Sequence, residues 1–107
     1  MKKIATYKTL GTNNLESAKS FYDGLFEDIE TMSFSPNDRS WFWVIKGDDS
    51  MFAVFVPYDG EEASAGNGGM TGFLMNSEQE VDDIHAKAIS LGATDDGAPG
   101  RRTENFY

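Results

Sequence analysis

His85 is the only histidine in 107 residues, and there is no cysteine. Disulfides, thiolate metal sites and cysteine nucleophiles are therefore excluded together. Val81 and Ile89 lie one helical turn either side of His85, where a helical metal motif would carry a second histidine, so His85 reads as a helix-surface or helix-packing residue. A Ser-His-Asp arrangement cannot be built around it, because no nucleophile elbow is present. Gly66-Asn67-Gly68-Gly69 lacks the spacing and the lysine of a phosphate loop and reads as a turn. The remaining chemistry is aromatic and charged. Trp41 and Trp43 share one face of a strand, with Phe42 and Val44 on the other, so one pair faces the helices and the other lines a cleft. The alternation alone leaves open which pair does which. Arg101 and Arg102 follow Pro99-Gly100 and could clamp a carboxylate with planar guanidinium groups, or stay solvated. Asp48, Asp49, Asp59, Glu61 and Glu62 could attract a cation, or simply keep their loops wet.

The elements that must position these residues follow from periodicity. Ile4 to Leu10 reads as a strand. Asn13 with Glu16 has capping-box spacing, and Leu15, Ala18, Phe21, Tyr22 and Leu25 recur as one buried helical face that stops near Gly24 to Phe26. Glu16, Lys19 and Asp23 fall on the opposite side. Ile29 to Phe34, Trp41 to Lys46 and Met51 to Pro57 read as strands, the last two joined by the polar turn Gly47-Asp48-Asp49-Ser50. The stretch YDGEEASAGNGG, residues 58–69, contains no branched aliphatic residue and reads as a linker. Met70 to Met75 then reads as a further strand. Ser77 with Glu80 forms a capping box ahead of Val81, Ile84, Ala88 and Leu91, and Gly92 supplies the stop. Strand, cap and amphipathic helix thus occur twice.

Composition narrows the partners. A net charge of −9 repels a phosphate backbone and anionic lipid, so neither nucleic acid nor a membrane surface is expected as a partner, and a cationic ligand is the better electrostatic match. With 39% hydrophobic and 13% aromatic residues the chain should fold rather than remain disordered, as one domain. Its apolar runs fall far short of the ~20 residues a membrane helix needs. The apolar run after Lys2-Lys3 is too short for an export segment, so a cytoplasmic, soluble protein is expected.

The motifs NLESAKSFYDGLF, YDGEEASAGNGG, EVDDIHAKAISLGA and DDGAPGRR resemble the vicinal oxygen chelate superfamily, which includes glyoxalase I, bleomycin resistance proteins and extradiol dioxygenases. The resemblance implies an α+β fold: two βαβββ modules forming a curved mixed sheet with helices on its outer face. Residues 1–57 would form the first module, 58–69 the linker, and 70–107 a second module short of its final strands.

Metal-using members imply a His on the first strand, a Glu near the end of the first module, a His after the linker and a Glu on the final strand. Here the first position holds Tyr7 and the third Met70, and no carboxylate lies between Met51 and Val56. No metal and no cofactor are therefore expected, and no catalytic residue is assigned. The resulting expectation is a metal-independent homodimer that binds or sequesters a small molecule, cationic or aromatic, through Tyr7, Trp41, Trp43, Met70 and Arg102. A glyoxalase-type lyase or dioxygenase with substituted metal ligands is the enzymatic alternative. A member with only a structural or partner-binding role is the other.

Overall fold

The computed structural model describes residues 6–47 and 50–107. Ile4 and Ala5, expected at the start of the first strand, and Asp48 and Asp49 of the expected turn lie outside these. The chain divides into two compact units, 1–71 and 72–107.

The first unit runs β1 (Tyr7–Gly11), α1 (Leu15–Leu25), β2 (Thr31–Phe34), β3 (Ser40–Ile45) and β4 (Met51–Phe55). This is the expected βαβββ order in an α+β fold. The sheet order is β1-β4-β3-β2, with β1 parallel to β4 and the other neighbours antiparallel. Parallel pairing needs a long crossover, and α1 with the β2–β3 hairpin supplies it. The β3–β4 turn is closed by the Ile45 amide donating to the Ser50 carbonyl at 2.8 Å, beside Gly47 at φ 103°. That backbone region suits glycine.

Helix α1 starts one residue later than capping-box spacing indicates. Asn14 is the cap, its side chain accepting from the Ser17 amide at 3.0 Å. Asn13 points instead to residue 63: its carboxamide oxygen accepts from the Ala63 amide at 2.6 Å. The segment after β4 is thus tied back to the start of α1, and Gly11 allows the approach, since a Cβ there would sit 3.2 Å from that of Ala63.

The buried face of α1 closes on β3 and β4. Leu25, Phe26, Trp43, Phe52, Ala53 and Val54 form the core. Tyr22 brings its ring centroid to 4.7 Å from Phe52 and 5.6 Å from Trp43, and burial pushes its hydroxyl above the usual phenol range. Asp23, expected on the polar side, instead accepts from the Trp43 indole N–H at 2.9 Å. A buried indole needs such an acceptor.

In the second unit, α2 (Glu78–Ser90) is capped by Ser77, which accepts from the Glu80 amide at 3.1 Å, while Glu80 accepts from the Asn76 amide at 2.7 Å. The expected cap and the Gly92 stop, at φ 106°, are both present. The strand expected over Met70 to Met75 does not form. A strand exists only where a neighbour shares its hydrogen bonds, and here none of the residues carries a ladder; Met70 and Leu74 are 86% and 98% exposed. His85 faces Asp95 at 3.1 Å, and the Gly97 amide and the His85 ring hold the Asp95 carboxyl below the usual carboxylate range. The Tyr107 hydroxyl donates to Asp82 at 2.7 Å, a bond that raises its ionisation above the phenol range. No helix among the described residues is long and apolar enough to cross a membrane.

Trp43 is 1% exposed, so Trp43→Ala should destabilise the chain by about 3–5 kcal/mol, the range for truncating a buried aromatic. Denaturant unfolding followed by far-UV circular dichroism measures this. A loss below about 1 kcal/mol would show that the ring is not part of the core.

Candidate functional site

Strand register sorts the side chains of the first sheet into two sets, because residues paired across neighbouring strands point the same way. Trp43 pairs with Phe52 and Trp41 with Val54, and these face α1. On the far face, Tyr7, Met51, Val44 and Met32 form one row, and Thr9, Ala53, Phe42 and Phe34 the next, with Phe55 beyond them. The rings touch in series. Phe34 stacks on Phe42 with centroids 5.1 Å apart and planes 14° from parallel, Phe55 meets Phe42 edge-on at 5.5 Å, and Tyr7 lies 6.4 Å from Phe42. Tyr7, Met32 and Phe34 are exposed, at 61%, 58% and 41%.

Arg39 stands immediately before β3, next to Ser40, which pairs with Phe55. Its guanidinium lies over the Phe55 ring at 5.8 Å and the Tyr58 ring at 5.2 Å, and Nη1 donates to the Val56 carbonyl at 2.9 Å.

The candidate residues from sequence are therefore distributed unevenly. Tyr7 stands on the far face with the phenylalanines. Trp43 is core, and Trp41 lies on the α1 side with Lys19 Nζ 4.6 Å from its ring centroid. The expectation that these tryptophans line the cleft is corrected: alternation gives that place to Phe42 and Val44, because the indole of Trp43 is committed to Asp23. Met70 is exposed in a segment without a ladder. Arg102 belongs to the second unit, where its guanidinium donates to the carbonyls of Gly100 at 3.0 Å and Ala98 at 2.7 Å; Arg101 pairs with Glu78. Phe34, Phe55 and Arg39 were not singled out from sequence. For the two phenylalanines the signal lay in counting register outward from Phe42; for Arg39 there was none, since a lone arginine before a strand is ordinary.

A solved structure now bears on these observations. A crystallised glyoxalase/bleomycin resistance protein from Albidiferax ferrireducens matches with a TM-score of 0.77 and 30% sequence identity, covering 91% of this chain and 80% of that one. The chain belongs to the glyoxalase/bleomycin resistance protein family. No family model and no curated protein sequence matches it. The βαβββ unit and the mixed sheet agree with this membership.

Metal-using relatives of the glyoxalase type rely on imidazole and carboxylate, the donors that suit a divalent ion. The far face offers a phenol, thioethers, a threonine hydroxyl and phenyl rings, so its donor chemistry does not fit such a site. Among the described residues no three His, Asp or Glu side chains converge on a point. What the face can do is stack: its rings present flat apolar surface with polarisable thioethers beside it.

Proposed function

We propose that this glyoxalase/bleomycin resistance family protein is a metal-independent binding protein that holds planar aromatic small molecules on the far face of its first sheet. The observation that carries this reading is the connected series Tyr7, Phe42, Phe34 and Phe55, with no imidazole or carboxylate among them. Aromatic rings in contact present a stacking platform without the conformational cost of flexible side chains. Binding of this kind needs no reacting group and therefore no catalytic residue. Net charge favours a cationic compound at long range, but Arg39 lies 5.8 Å from the Phe55 ring and opposes one there, so aromatic character defines the ligand class.

The working form is a homodimer. Strands β1 and β2 are the outer strands of the first sheet, and every residue of β1 is exposed. An unpaired strand offers backbone donors and acceptors to a second copy, whose surface would then wall the platform.

Naphthamide, an uncharged aromatic probe, should bind the chain in the presence of a strong chelator, and Phe42→Ala should weaken it by about 1–3 kcal/mol, the scale of a lost aromatic contact. Isothermal titration calorimetry reads both. Binding that disappears with chelator and returns with zinc, iron, manganese or nickel would restore the enzymatic alternative, and an unchanged affinity in folded Phe42→Ala would remove the far face as the site. Sedimentation equilibrium at micromolar concentration should give twice the chain mass; the mass of a single chain would contradict the dimer.

A further inference from the structure

The stacking platform ends in a cation. Arg39 is half-buried, with the Phe55 ring and the hydrogen bond to the Val56 carbonyl fixing its place and the exposed Tyr58 ring beside it. Among the described residues no carboxylate pairs with it. That is unusual in a chain with eighteen acidic residues against nine basic ones, where a guanidinium has many possible partners. Asp59, close in sequence to Tyr58, instead turns its carboxylate to the Glu61 amide at 2.9 Å. The single bond to Val56 engages one nitrogen of a group that carries five N–H donors in a fixed plane. The remaining donors belong to a side chain already tied to the backbone by the Val56 bond and seated beside the Phe55 ring, which lowers the ordering needed when an anion arrives.

We infer that Arg39 is a specificity-determining residue of the far face and that the compounds it selects are planar aromatic carboxylates. The ring stacks along Phe42 and Phe55 while the carboxylate accepts hydrogen bonds from the Arg39 guanidinium. Phe55 joins the two contacts, since its ring meets Phe42 at 5.5 Å and Arg39 at 5.8 Å. The local charge thus opposes the selection suggested by the negative net charge of the whole chain. A guanidinium and a carboxylate meet in complementary planes, and a charge-assisted hydrogen bond outweighs long-range repulsion that salt screens. This inference rests on the reading of the far face as a ligand platform.

Three matched probes separate the two: naphthoate, naphthamide and naphthylmethylamine share a ring system and differ in charge. Calorimetric titration of the full chain at low salt should show naphthoate binding about tenfold more tightly than naphthamide, the scale of one charge-assisted hydrogen bond at a partly exposed site, and naphthylmethylamine binding more weakly than either. In Arg39→Gln the naphthoate-to-naphthamide ratio should fall to about one, while Arg39→Lys should keep part of the preference. Equal binding of naphthoate and naphthamide by the unsubstituted chain, or an unchanged ratio in folded Arg39→Gln, overturns the assignment of Arg39 and leaves the platform standing. Failure of all three probes to bind overturns the platform and this inference with it. If Arg39→Gln does not fold, the ratio in the unsubstituted chain and its decline with added salt decide the matter.

Discussion

Trp43 reaches across from β3 to donate its indole N–H to Asp23 of α1, and its ring fills the space between Tyr22, Phe26 and Phe52. Because side chains alternate along a strand, seating this one residue against α1 decides the direction of every other residue of β3. Trp41 follows it to the α1 side, and Phe42 and Val44 are turned away. Register then carries the choice to the neighbours: Ala53 and Phe34 stand with Phe42, Met51 and Met32 with Val44. A slip of one residue would bury the phenylalanines and expose the tryptophans. That slip would break the 2.9 Å hydrogen bond to Asp23 and return the apolar surface of the Trp43 ring to water, and both losses oppose it.

The same constraint explains which parts of the structure could be read in advance. The elements of the first unit were legible because helix caps and alternating apolar runs are local signals, and so was the α+β class. The orientation of β3 was not. Trp41 and Trp43 on one side and Phe42 and Val44 on the other are all apolar, so the pattern shows a strand buried on both faces without saying which face meets the helix. The missing information is the acceptor for the indole, since periodicity puts Asp23 on the polar side of α1. Asn13 and Asn14 are equally good caps by type, and the contact between Asn13 and Ala63, fifty residues apart, engages the one while Thr12 supports the other as the cap. Met70 to Met75 has strand composition, yet strand formation depends on a partner that local composition does not report.

Charge shows a similar division between global and local reading. Nine excess negative charges describe the field far from the molecule. Beside the Phe55 ring the local charge is that of Arg39, opposite in sign to the total, and at short range position counts for more than the sum. Family membership sets the frame in which such a face is presented, and the phenol of Tyr7 on it is a poorer donor for a divalent ion than an imidazole. The far face offers a phenol, thioethers, a threonine hydroxyl and phenyl rings, groups better suited to stacking than to coordinating a divalent ion.

Methionine methyl resonances report directly on which face takes a ligand, since Met32 and Met51 lie on the far face while Trp43 marks the opposite one. The chain labelled at its methionine methyls and tryptophan indole nitrogens would be titrated with naphthamide and followed by NMR. Ring-current shifts at Met32 and Met51, with the Trp43 indole resonance unmoved, are the predicted result. A shifting Trp43 indole with Met32 and Met51 unchanged would place the ligand on the α1 side of the sheet and contradict the assignment.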